Sequence, residues 1–127
     1  MASSSAPKIL TFKADAAIAK GKAVKIGTDK EHVAVGAANT DHVIGIAQNA
    51  VTTAEDLVEV ALNGGGGKGL LGETVGAGRL LVSHTDGSLV MANASGDQIV
   101  AKSLESGVSG DLVAIEVAYS QAAAAES

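Results

Sequence analysis

Leu62 to Gly78 reads LNGGGGKGLLGETVGAG: four consecutive glycines, a lysine, then four more glycines in ten residues. Its reading separates a phosphate-cradling loop, as in a nucleotide-dependent enzyme, from a flexible joint in a structural protein. Gly64, Gly66 and Gly69 satisfy G-x-G-x-x-G after a strand-like run. A dinucleotide site also needs a helix immediately afterwards, because the helix N-terminus holds the pyrophosphate. The residues that follow, LLGETVGAG, contain Gly72, Gly76 and Gly78 and cannot sustain one. The P-loop pattern fails too: its first glycine falls on Leu62, and Lys68 is followed by Gly69 rather than Ser or Thr. The stretch reads as a mobile loop or joint.

The flanks explain why a joint belongs there. GKAVKIGTDKEHVAVGAANTDHVIGIAQNAVTTAEDLVEVA, from Gly21, aligns with GRLLVSHTDGSLVMANASGDQIVAKSLESGVSGDLVAIEVA, from Gly78. Gly21 meets Gly78, Thr28-Asp29 meets Thr85-Asp86, Asp41 meets Asp97, and Asp56-Leu57-Val58 meets Asp111-Leu112-Val113. The offset slides from 57 to 56 to 55, as deletions in loops would cause. Two pseudo-repeats follow, about 16–63 and 73–119, joined by a Gly-rich loop over 63–72.

Within each half the apolar period is two. Val58, Val60 and Leu62 share one face of DLVEVAL, with Leu57, Glu59 and Ala61 on the other. Val113, Ile115, Val117 and Tyr119 share one face of DLVAIEVAY. This alternation marks half-buried strands. LLVSHTDGSLVMA reads as a hairpin on a type I′ turn at Asp86-Gly87, and AVKIGTDKEHVAV as another with a longer turn over Thr28 to Glu31. No helical stripe persists for three turns. The best candidate, Asp97 to Ser106, contains QIVA, which reads equally well as strand. The expected fold is all-β: a small barrel or barrel-like sandwich of about eight to ten short strands. It is one domain over 8–120, with a flexible arm at 1–7 and a short tail at 121–127.

Composition limits the core and the function classes. A chain of 127 residues makes one domain, but its only aromatics are Phe12 and Tyr119, and 16 residues are glycine. A modest core of Ala and Val favours association with a partner. The net charge of −5 and absence of a basic cluster make nucleic acid a poor partner. There are no cysteines for disulfides or thiolate metal sites. No apolar run approaches the roughly 20 residues of a membrane span, and MASSSAPK has no signal-peptide pattern.

Catalytic constellations are absent from the pattern. His32, His42 and His84 lack the spacing of a metal pair. Ser83 and His84 are adjacent in a strand and point to opposite faces, so they cannot form a nucleophile–base pair. Acidic residues are spread along turns, where Asp bonds the local backbone. Met91 sits in a hairpin placed like a lipoyl or biotinyl turn, but Ala92 follows it where the modified lysine would be. No enzyme, cofactor or metal is expected.

AIAKGKAVKIG, HVIGIAQNAVTTAEDLVEVALNG and IVAKSLESGVSGDLVAIEVA resemble the head decoration, or capsid cement, proteins of tailed bacteriophages. The resemblance covers most of residues 8 to 119. It implies a small β protein, commonly a homotrimer, made in the bacterial host cytoplasm. Such a protein binds the major capsid protein on the outside of the expanded head and holds the shell against the pressure of packaged DNA. It further implies a capsid-binding arm: Ala2, Ser3, Ser4, Ser5, Ala6, Pro7, Lys8, Ile9, Leu10, Thr11 and Phe12. This arm would dock by edge-strand pairing. Gly64, Gly65, Gly66, Gly67 and Lys68 form a candidate contact loop. Two other readings stand beside this one: a β-clip-type domain binding a small ligand near the glycines, and another virion part such as a tail module.

Overall fold

The computed structural model describes residues 9–29, 31–36, 42–62, 64–84, 86–92 and 98–121, the last four as backbone only. The expected arm over Ala2 to Lys8, the tail beyond Gln121 and the side chain of Tyr119 lie outside them. Ten strands carry the chain and no helix occurs among the described residues. The first lobe contains β1 (Ile9–Ala14), β2 (Ala23–Ile26), β3 (His32–Val35), β4 (Val43–Ala47) and β5 (Leu57–Leu62). The second contains β6 (Gly66–Leu70), β7 (Leu80–Ser83), β8 (Leu89–Met91), β9 (Gln98–Ser103) and β10 (Leu112–Gln121).

Lobe 1 closes into a barrel in the order β1-β3-β2-β4-β5, and lobe 2 is a sheet in the order β6-β10-β9-β7-β8. With β6 set in place of β1, and so on in chain order, the two orders are the same circuit. Lobe 1 shuts its circuit by parallel pairing of Lys13 with His32 and Ala14 with Val33. In lobe 2 that seam shrinks to one parallel bridge, Leu71 to Leu89. The antiparallel bridge Ile18–Val51 recurs as Val75–Gly107. Gly21 and Gly78, matched in sequence, both have positive φ. This equivalence is finer than the sequence alignment, and its units start earlier. They include β1 and β6, whose side chains share too little for an alignment to join them.

The glycine stretch is therefore largely not a loop. Gly66 to Leu70 is a strand, paired residue by residue with Leu112 to Glu116 of β10, and the link between lobes covers only 63–65. Glycine is a poor strand former, and close approach explains its use here. A Cβ on Gly67 would lie 2.3 Å from Oε1 of Gln48, and one on Gly69 2.6 Å from Cδ1 of Leu89. Lobe 1 has Leu10 and Phe12 at the matching positions. Lobe 2 fills that space from elsewhere, with Leu71, Leu81, Leu89 and Ile115 in its core.

The hairpin β7–β8 forms in the register Leu81–Met91, Val82–Val90, Ser83–Leu89, but its turn is not type I′. Only Gly87 is left-handed; Asp86 is not. The Gly87 amide donates to His84 O (3.0 Å) and the His84 amide to Ser88 O (2.8 Å), so the chain reverses through the left-handed Gly87. Asp86 contributes by accepting from the Ser88 amide (3.0 Å). The helical candidate at 97–106 is strand β9 over Gln98 to Ser103, with Ile99, Val100 and Ala101 buried.

Burial follows the period-two reading except at the end of β5, where Ala61, on the face opposite Val58 and Val60, is buried against lobe 2 and Leu62 is only half-buried. Val58 and Val60 are buried while Leu57 and Glu59 are exposed. Val113, Ile115 and Val117 are buried while Leu112 and Glu116 are exposed. One cluster fills lobe 1 (Ile18, Val24, Val33, Val58, Val60), with Phe12 packed against it. A second spans both lobes, joining Val43, Ile46 and Ala61 to Leu71, Leu81, Leu89 and Ile115. A bulge makes this double use of β4 work. Opposite β2, the register skips between Val24–Gly45 and Lys25–Val43. The extra residue puts Val43 and Ile46 in the inter-lobe cluster and Ile44 and Ala47 in the barrel cluster.

Beside that bulge, Gly45 leaves no room for a side chain: a Cβ would lie 2.2 Å from the carbonyl oxygen of Ala61. Gly45→Ala is expected to cost about 3 kcal/mol, since β5 backbone must shift. Gly76→Ala, whose nearest neighbour would be 4.0 Å away, should change stability by less than about 0.5 kcal/mol. Urea unfolding midpoints of the two variants check the contrast.

Candidate functional site

The residues that the sequence singles out do not converge on one place. Ile9 to Phe12, expected in a docking arm, are strand β1, paired with Val58 to Ala61 of β5. Over these four residues the arm is a fixed barrel strand, because Phe12 has an apolar cluster to enter. Ile9 and Leu10 remain 46% and 44% exposed. Among the described residues β1 pairs with β3 only at Lys13 and Ala14, so from Ile9 to Phe12 only the β5 side of the strand has a described partner. Of the candidate contact loop, Gly64 is left-handed in the link, and Gly66 to Lys68 are in β6.

What the glycines face is the seam between lobes. The side-chain amide of Gln48, just past β4, pairs with the Lys68 backbone as a strand residue would. Its Nε2 donates to Lys68 O (3.2 Å) and its Oε1 accepts from the Lys68 amide (3.0 Å). The ring of contacts continues around it. The Leu70 amide donates to Gly21 O (2.9 Å), and the Ala23 amide to Gly87 O (2.9 Å). The left-handed Gly21 lies against Leu112, leaving 2.6 Å between an added Cβ and Leu112 Cδ2. Lobe 1 thus inserts Gly21, Ala23 and Gln48 into a socket made by β6, the start of β10 and the β7–β8 turn. Nothing in the sequence marks Gln48. Its lobe-2 equivalent is Leu104, whose amide donates to Ala114 O as that of Gln48 donates to Glu59 O.

His32 is the most organised of the three histidines. Its Nδ1 lies 2.7 Å from Oδ1 of Asp29 and its Nε2 lies 2.9 Å from Oε2 of Glu55. Ionised carboxylates only accept, so both contacts are hydrogen bonds at once only when the ring is protonated as an imidazolium. Asp29, then Glu55, raises His32 above the ordinary imidazole value of 6.5. His32, then the Glu31 amide, holds Asp29 below the ordinary 3.8. Glu55 has φ +75°, alone in this among the described non-glycine residues, and its lobe-2 equivalent is Gly110 with φ +91°. The clamp ties β3, at the barrel seam, to this strained turn. His42 borders a shallow cleft with Val43 and Gln98 to Val100. His84 is exposed in the β7–β8 turn, while Ser83 beside it is buried, as opposite faces require. Among the described residues no three His, Cys, Asp or Glu side chains gather to hold a metal.

On the outer face of lobe 2, Glu105 accepts from the Ala114 amide (2.7 Å) and lies 3.4 Å from Nζ of Lys68. That amide, with the Lys68 charge, holds Glu105 below the usual carboxylate range. In lobe 1 the same task falls to Asn49, whose Oδ1 accepts from the Glu59 amide (2.6 Å). A second cleft lies on lobe 1, lined by Thr11, Phe12, Lys13, Glu31 and Leu57. Neither cleft borders the glycine strand.

No family model and no curated protein sequence matches the chain. Its fold is similar to that of the N-terminal base of the head fiber, gp8.5, of bacteriophage phi29. The TM-score is 0.69 at 16% identity, covering 90% of this chain and 96% of that one. At this identity the likeness is one of fold.

Two outcomes test the geometry. Gln48→Ala strips both partners from the Lys68 backbone and should destabilise the protein by about 1–3 kcal/mol in chemical unfolding. The second is a pH dependence. A histidine raised in the folded state adds stability that is whole below its unfolded value and is lost as pH rises through its folded value. The lowered Asp29 acts oppositely and loses its contribution only in acid. The melting temperature should therefore fall as pH is raised from about 6 to about 9, and His32→Ala should flatten that fall.

Proposed function

We propose that the chain is a structural protein of a phage virion. It binds the outer surface of the expanded head and stabilises it against internal DNA pressure, as a head decoration protein. The observation that carries this reading is the likeness in fold, over nearly the whole of both chains, to the base of a phage head fiber. The sequence resemblance to decoration proteins points the same way. In this reading the partner is the major capsid protein, the chain acts as a homotrimer and without enzymatic activity, and it is made in the host cytoplasm before joining the capsid exterior.

The physical chemistry supports the role. Many copies on a lattice multiply modest individual affinities, so no deep pocket is required. A surface created by head expansion selects the mature state through differential affinity alone. The negative charge of −5 keeps an external protein off nucleic acid.

Co-sedimentation with unexpanded and expanded heads of the cognate phage tests the proposal. Saturable binding to expanded heads alone is expected, and binding to neither would refute it. Removing residues 2–7 should weaken that binding and leave the melting temperature unchanged, because the described strands begin at Ile9.

A further inference from the structure

The β1–β3 seam that closes lobe 1 stands mostly open in lobe 2, where one bridge remains, so one backbone plan carries both states. In lobe 1 the Lys13 amide donates straight to Glu31 O (2.8 Å), and the Asp15 amide to Val33 O (2.9 Å). In lobe 2 the residues equivalent to Lys13 and Glu31 are Leu70 and Gly87. These two are parted: the Leu70 amide donates to Gly21 O, and Gly87 O accepts from the Ala23 amide. Lobe 1 has the His32 clamp at this place. Lobe 2 has Ser88 and Gly110 at the two positions, with no side chain at 110 to be tied.

The clamp reaches the seam through Glu55. The His32 side chain, only 13% exposed, meets Asp29 at Nδ1 and Glu55 at Nε2. The Glu55 amide donates to Ala14 O (2.7 Å), and the Ala14 amide to Asp56 O (2.9 Å). Ala14 is itself a seam residue, paired with Val33. A neutral imidazole has one N–H, so its other nitrogen would set a lone pair against a carboxylate. The Asp29 tie survives that loss, because the Glu31 amide (2.9 Å) already fixes the Asp29 carboxylate in the same turn. The Glu55 tie yields: its side chain is 65% exposed, and its left-handed backbone is strained without compensation. The described charged groups on the elements around His32 are Asp29 and Glu31 in its own turn, Lys25 on β2, Lys13 and Asp15 at the end of β1, and Glu55 and Asp56 before β5. Asp29 and Glu55 are the two that bond the ring, while Asp15 accepts from the Thr28 amide and hydroxyl (2.9 and 3.1 Å).

We propose that the proton on His32 is a latch on the barrel of lobe 1: while it is held the β1–β3 seam stays shut, and its loss lets the seam part locally, as its counterpart is parted in lobe 2. The clamp is complete above the range where Asp29 takes up a proton and below the range where His32 gives one up. Asp29, then Glu55, raises His32 above 6.5, and His32 lowers Asp29 below 3.8, so each partner widens the window of the other. The inference concerns the chain by itself and does not rest on the head-binding reading.

Amide hydrogen exchange of the full chain, followed residue by residue by NMR from about pH 6 to about pH 9, tests it. After correction for the intrinsic base-catalysed rate, protection of the Lys13 and Asp15 amides should fall by about tenfold, as for the loss of one hydrogen bond to a charged group. The midpoint of that fall should match the titration of the His32 ring, read from its own carbon-bound protons. At the alkaline end both amides should exchange faster than the slowest amides of the protein and independently of dilute urea, the mark of local opening. Glu55→Gly copies position 110 and leaves the neutral ring its Asp29 bond, so it should fold and should abolish the pH response. Steady protection across the range, a midpoint apart from that of His32, a urea dependence equal to that of the slowest amides, or a pH response that persists in Glu55→Gly would each overturn the proposal.

Discussion

The amide of Gln48 lying over Gly67 is the constraint from which the rest of the fold follows. To bond both backbone groups of Lys68, the Gln48 side chain must approach the β6 backbone closer than any Cβ at position 67 permits. That fixes a glycine in a strand, which is a weak choice locally. The strand is held instead by β10 along its length and by Gly21 at Leu70. With β6 so placed, Val43, Ile46 and Ala61 of the barrel meet Leu71, Leu89 and Ile115 of the sheet in one cluster. A polar contact thus sets the register in which an aliphatic core, with Phe12 as its one described aromatic, can pack.

Much of this is legible in the sequence, for definite reasons. β5 and β10 declare themselves because Val58 and Val60, and Val113, Ile115 and Val117, alternate with more exposed residues along most of each strand, which imposes a period of two. The β7–β8 hairpin shows through Asp86-Gly87, although the left-handed residue is Gly87 alone. The repeat is visible at Gly21 and Gly78 and at the two DLV strands, where backbone demands hold the residue type. It is invisible at β1 and β6, because Leu10 and Phe12 in one lobe are replaced by Gly67 and Gly69 in the other. The glycine run reads as a joint for the same reason: in isolation, glycine reports flexibility, and only the opposite surface reveals close approach. The His32 clamp is beyond the reach of pattern reading, since its two carboxylates come from separate turns, one 23 residues away.

The two lobes show which features the scaffold requires and which it leaves free. The backbone bridges, the left-handed turn before each DLV strand and the side-chain acceptor just after β4 and β9 all recur. The residues filling those roles do not. Asn49 answers to Glu105 and Glu55 to Gly110. His32 answers to Ser88, whose hydroxyl bonds Asp86 as the imidazole bonds Asp29. The architecture is written in backbone geometry, and its surfaces are open to separate use.

Glu55 shows what such freedom leads to. A glutamate in a left-handed conformation gives up roughly 1 kcal/mol of backbone energy that a glycine would keep. What it gains is a tie to His32 that is strongest while the imidazole carries both ring protons. The best residue at position 55 is therefore a function of acidity. Once the imidazolium is lost in alkaline solution, the glycine found at the equivalent position 110 would serve position 55 better than the glutamate.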